Sequence, residues 1–158
     1  MSSPDGRNGA RHAATSDEAT TAQPATVALQ VPARAEYVPI LRAACGQVAP
    51  LLGCTFEEIA DLKLAVDEAS GFLLRNCVAL RRGTKHDDLS ATVTIAETGM
   101  HIALSIAADA SVAPDGDDFG WAILTALVDD FSWCVQDSVV RVDIRKHRVG
   151  GRRDGDSR

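Results

Sequence analysis

A chain of 158 residues with 46% apolar side chains has material for one core and too little for two ordinary domains. Its formal net charge of −6 removes the basic footprint that nucleic acid or an anionic membrane surface would require. No apolar run nears the ~20 residues that cross a bilayer, and the opening MSSPDGRNGARHAATSDEATTAQP lacks the apolar segment of a secretory signal, so a cytosolic protein with a protein or small-molecule partner is expected.

Residues 1–24 are Ser, Thr, Ala, Gly and Asp with almost nothing large and apolar, too little to offset the entropy of ordering, and are expected to form a disordered tail. From Ala25 the run TVALQV alternates and is β-branched near its ends, a short strand stopped by Pro32. ARAEYVPILRAACGQVAPLLG then places Tyr37, Ile40, Leu41, Ala44, Val48 and Leu51 at helical steps. Pro39 fits a first turn, where its missing N–H has no partner to lose, and Gly53 fits the C-terminal stop.

Thr55 to Leu80 reads as one long helix. Thr55 and Glu58 form a capping box, hydroxyl and carboxylate each satisfying an orphan backbone donor. Ile59, Leu62, Val66, Ala69, Leu73 and Cys77 recur at three- and four-residue steps as an apolar stripe. Glu68 projects from the opposite side, with Ala65 and Phe72 one turn before and after it on a mixed second face. A solvated carboxylate on a polar helix face predicts the same spacing for Glu68 as a chemical role does.

RRGTKHDD is a charged turn, and LSATVTIAE and GMHIALSIAA alternate about Thr98-Gly99 as a hairpin. ADASVAPDGDDFG is a loop, in which Asp117 or Asp118 can cap the next helix, GWAILTALVDDF, whose Trp121, Leu124, Leu127 and Val128 are apolar at helical steps. FSWCVQ and SVVRVDIRKH make a second hairpin about Gln136-Asp137-Ser138, and residues 148–158 are a loose basic tail. The order β-α-α-β-β-α-β-β predicts a two-layer α/β sandwich over residues 25–147, a mostly antiparallel sheet covered on one face by helices. Cys45, Cys54, Cys77 and Cys134 contain no Cys-x-x-Cys pair and read as reduced core residues rather than zinc ligands, with Cys54 the one exposed loop candidate.

That order, with VPARAEYVPILR opening the first helix, DLKLAVDEA on the second, an Asp at the end of a middle strand and GWAILTALVDDF on the last helix, resembles the GHKL (Bergerat) ATPase fold. More narrowly it resembles the anti-sigma factors and serine-protein kinases of the RsbW and SpoIIAB kind, over about residues 26–147, and among them the diverged actinobacterial members that hold a stress or sporulation sigma factor. The resemblance implies a homodimer that sequesters an alternative sigma factor and is released by a STAS-type anti-anti-sigma antagonist, with no direct contact to nucleic acid or membrane. The alternative it implies is an active ATP-dependent serine-protein kinase that phosphorylates that antagonist.

In this family a helix carboxylate polarises the attacking group and an Asn four residues later binds magnesium. Glu68 matches the carboxylate, whereas Phe72 stands at the Asn position and offers no oxygen to a hard cation. Asp109 matches the adenine-binding aspartate, Ser111 and Ala113 stand where the glycines of its box belong, and Gly120 is what remains of a phosphate-cradling Gly-x-Gly whose other position is Asp118. Ten residues separate Asp109 from Gly120, short for the lid that closes over a nucleotide. ATP with magnesium is therefore expected to bind weakly or not at all, and no metal ligand set is assigned. The resemblance places the sigma-factor contact at Arg34, Glu36 and Arg42, and it matches Asp129 and Asp130 to an acidic pair after the last helix, where a structural role is at least as well supported.

Overall fold

Alternation decides which way each strand faces. In the computed structural model, which describes residues 23–77, 88–107 and 119–148, strands β1 (Ala25–Pro32), β2 (Asp88–Ala96), β3 (Gly99–Ala107), β4 (Asp130–Gln136) and β5 (Val139–His147) form one antiparallel sheet in the order β1-β2-β3-β5-β4. Its register aligns Val27, Val93, Ile102, Ile144 and Phe131 in a single row across all five strands. The neighbouring row is Ala28, Thr92, Ala103, Asp143 and Ser132. A slip of one residue would exchange these rows and move the core face into water, so the pattern alone specifies the pairing.

The apolar face is covered by α1 (Val38–Val48), α2 (Phe56–Cys77) and α3 (Phe119–Leu127). Helix α2 lies against β3 and β5, with α1 on one flank and α3 on the other, and α3 reaches β4. This is the two-layer sandwich the alternation and helix periods predict. Short 3-10 turns at Ala35–Tyr37 and Ala49–Leu52 flank α1. Pro39 sits in the first turn of α1, and Gly53, at φ 77°, takes the left-handed position that ends the segment.

The expected capping box is present. The Thr55 N–H donates to Glu58 Oε2 at 2.8 Å, and the Glu58 N–H donates to Thr55 Oγ1 at 3.2 Å. The buried arc of α2 is wider than the expected stripe, because Ala65 and Phe72 are buried along with Leu62, Val66, Ala69 and Leu73. The second face is therefore core rather than mixed, since α3 lies along it. Residues 78–80, the expected end of this helix, and the side chain of Cys77 lie outside the described residues.

Both hairpins close with the geometry their sequences ask for. Gly99 has φ 153°, and a side chain there would collide with the carbonyl oxygen of Lys146 on β5, so only glycine permits that approach. Asp137 and Ser138 have φ 51° and 60°, the paired left-handed conformation that a tight two-residue hairpin turn needs. The cysteines divide differently from expectation. Cys45 is buried, and burial pushes its thiol up to about 11. Cys54 is half-buried beside the core instead of exposed, whereas Cys134 is exposed, because it lies on edge strand β4 opposite Arg141, in a row that faces away from the helices.

One ionic knot joins the layers. After α3, the Asp129 N–H donates to the Arg145 carbonyl at 3.2 Å, while its carboxylate accepts from the His147 N–H at 2.6 Å and from Lys146 Nζ at 3.3 Å. Lys146 Nζ also lies 3.6 Å from Glu58 Oε1, so the cap of α2, the end of α3 and the end of β5 share one cation. Burial works to raise the Asp129 carboxyl, but the His147 N–H and Lys146 outweigh it and hold the group below the usual carboxylate range.

Thr55→Ala is expected to lower the unfolding free energy by about 1 kcal/mol in urea denaturation, through loss of the cap. Because the native Asp129 carboxyl titrates below its unfolded value, its ionised form stabilises the fold above ~3.9, and that contribution is lost as pH falls through the native value. The stability gap between wild type and Asp129→Asn should therefore be widest near neutrality and close below about pH 4; a gap constant down to about pH 3 would refute the knot.

Candidate functional site

The middle of α2 presents three neighbours with different fates. Asp67 accepts a hydrogen bond from Arg42 Nη1 of α1 at 2.7 Å, with 42% and 29% of the Arg42 and Asp67 side chains exposed. The next residue, Glu68, is half-buried and forms no hydrogen bond or ion pair with any described residue. One turn on, Phe72 is 3% exposed and directed at α3.

That direction matters for the chemistry. The first turn of α3 contains Gly120 and brings Trp121 over Phe72, their ring centroids 4.6 Å apart. Trp121 also packs on Phe131 at 4.8 Å and on Trp133 at 6.2 Å. Four of the chain's seven aromatic residues thus converge where α2, α3 and β4 meet, and contacts of this kind are worth about 0.5–1.5 kcal/mol each beyond the area they bury. Trp121 packs into this cluster, and Trp133, 37% exposed, closes its outer edge. The sequence signal for this bridge is Phe72 itself, an aromatic residue on a helix flank otherwise expected to be mixed.

The described residues do not supply the magnesium ligand that the resemblance places at position 72. The cation would need an oxygen at position 72, where the structure has a ring packed against a second ring. Among the described residues no three His, Cys, Asp or Glu side chains converge into an all-protein cation cage, although magnesium carried by a nucleotide needs only one or two protein oxygens besides phosphate and water. Asp109 and Ser111 lie outside the described residues, as do Asp117 and Asp118.

The other candidate residues lie at and beyond the entry to α1. Arg34 Nη1 is 3.5 Å from Glu36 Oε1, with 71% and 65% of their side chains exposed, a pair too solvated to add much stability. Arg42 lies within α1 and is held by Asp67. Of the acidic pair after α3, Asp129 serves the fold in the knot described above, while Asp130 makes a solvated ion pair with Arg145 at 3.3 Å.

These layers form an α/β sandwich whose fold is shared with a solved RsbW domain. The crystal structure of the RsbU and RsbW domains of a Mycobacterium tuberculosis protein superposes with a TM-score of 0.59 at 13% identity, over 77% of this chain and 32% of that one. In sequence the chain is similar to the anti-sigma-F factor RsbW of Mycobacterium tuberculosis H37Rv, 35% identical over 104 residues, which are 66% of this chain and 58% of the relative. It is also 49% identical over 43 residues, 27% of each chain, to the serine-protein kinase RsbW of Bacillus subtilis 168. The chain thus spans little more than half the length of the mycobacterial relative it matches. No family model matches the sequence.

Phe72→Asn is expected to cost about 3 kcal/mol in urea denaturation, because it removes a buried ring and places a polar amide in an aromatic cluster. An unchanged midpoint would show that the bridge contributes nothing to the fold.

Proposed function

We propose that this chain is an anti-sigma factor. It sequesters an alternative sigma factor of the stress or sporulation type by surface complementarity, works as a homodimer in the cytoplasm, and is displaced by a STAS-type anti-anti-sigma antagonist. The observation that carries the reading is Phe72 packed on Trp121, in a chain whose mycobacterial relative is named for anti-sigma activity. Binding by complementarity needs a surface, not a metal.

Arg34, Glu36 and Arg42 supply part of that surface. Arg34 and Glu36 can exchange their mutual exposed contact for a partner's charges, and Arg42, oriented by Asp67, keeps 42% of its side chain accessible. Arginine is over-represented among the residues that dominate interface energies.

The second reading is an active serine-protein kinase, favoured by the 49% identity to the Bacillus subtilis kinase over 43 residues. In it Glu68 polarises the attacking hydroxyl, and Asp109, Ser111 and Gly120 contact ATP. Phosphoryl transfer depends on positioning and metal neutralisation, which is why the position-72 ring weighs against it.

Co-expression with the host's stress- and sporulation-type sigma factors is expected to yield a complex that survives purification, weakened about tenfold or more by Arg34→Glu. If none of these sigma factors co-purifies, the anti-sigma reading fails. Magnesium ATP is expected to leave the thermal midpoint unchanged, since only a ligand that binds the native state raises it; a clear upward shift, followed by phosphate transfer to the antagonist, would move the assignment to the kinase.

A further inference from the structure

We propose that the solvent face of α2 docks a basic amphipathic helix of a partner protein. The face stands apart from Arg34 and Glu36, and the proposal does not rest on the function proposed above.

Residues four apart on a helix lie one above the other, so Phe56, Ala60 and Leu64 form one apolar line along α2. The sheet and the flanking helices leave this line open: Phe56 is 94% and Leu64 44% exposed, and Ala60 is exposed. A single exposed leucine needs no explanation; large apolar side chains two turns apart, joined through an alanine, make a ridge.

The carboxylates of α2 divide around that ridge. Glu58 is engaged by Thr55 and Lys146, and Asp67 by Arg42. Glu57, Asp61 and Glu68 have no hydrogen-bond or ion-pair partner among the described residues, and helical spacing sets them along the edge of the ridge nearer α3. An apolar line with an unpaired acidic border is complementary to a helix whose own apolar line is bordered by Lys or Arg. From Phe56 to Glu68 the rise is ~18 Å, room for three to four turns of such a helix.

Charge decides between occupants. A second copy of this chain would bring the same carboxylates to the contact, and like charges facing each other are penalised. An anionic bilayer is disfavoured for the same reason, with a net charge of −6 on the protein.

The test titrates the full chain into a fluorescein-labelled amphipathic Leu/Lys peptide of about 18 residues, followed by anisotropy. The expected result is saturable binding that weakens with salt, falls about tenfold or more for Leu64→Ser and for the double variant Glu57→Lys/Asp61→Lys, and is absent for a Leu/Glu peptide of equal length. The double variant should gain binding to the Leu/Glu peptide. Circular dichroism and the urea midpoint of Leu64→Ser, an exposed position, should match wild type, separating lost docking from lost folding. No binding to the Leu/Lys peptide, or equal binding by wild type and both variants, overturns the proposal. A fall in sedimentation mass caused by Phe56→Ser or Leu64→Ser also overturns it, assigning the ridge to self-association.

Discussion

Burial of α2 against β3 and β5 constrains everything around it. A helix whose core arc runs through Leu62, Ala65, Val66, Ala69, Phe72 and Leu73 needs apolar cover on three sides, and a sheet covers only one. Helix α1 supplies the second and α3 the third. The two flanks are held differently. On the α1 side the contact ends in a part-exposed ion pair, Arg42 with Asp67, whose net worth is modest; on the α3 side it is ring against ring, Phe72 with Trp121, which solvent and salt do not screen.

The same helix distributes its charges by position. At its N-terminus Glu58 serves a backbone donor and also meets Lys146 from the end of β5, a favourable place for an anion because the helix dipole is positive there. The Lys146 side chain is only 14% exposed and lies within 3.6 Å of Glu58 and 3.3 Å of Asp129. Removing either acid would leave the cation under-compensated in a partly dry setting, which ties the α2 cap to the corner after α3 more firmly than either contact alone suggests.

How much of this was legible depends on the range of the interaction. The strands follow from period-two alternation, the capping box from residues three apart, and the turns from Gly99 and the Asp137-Ser138 pair; all are local, and all appear where the sequence puts them. The width of the α2 arc is not local. Whether Phe72 faces solvent or core is decided by Trp121, 49 residues further on, and spacing within one helix cannot report it. The cysteines show the same limit: Cys134 alternates like a core residue's neighbour, but being on edge strand β4 and on the row facing away from the helices leaves it exposed, while Cys54, in a short connection, is drawn against the core by the helix it precedes. Of the candidate site residues, those tied to helices could be placed on named faces, whereas Asp109 and Ser111 depend on a connection that lies outside the described residues.

The aromatic bridge also bears on how a partner bound by this chain could be released. A nucleotide can shift a partner's affinity only by interacting differently with two arrangements of the protein, and Gly120, the candidate phosphate contact, lies on α3 where it meets α2. Here that junction is packed by Phe72, Trp121 and Phe131, and close-packed cores resist graded deformation. Under the proposed function, the step that frees the sigma factor therefore falls to mass action: an antagonist that competes for an overlapping surface lowers the free binder directly. On that reading release scales with antagonist concentration and with the ratio of two affinities, to which accessible side chains such as Arg34 and Arg42 would contribute.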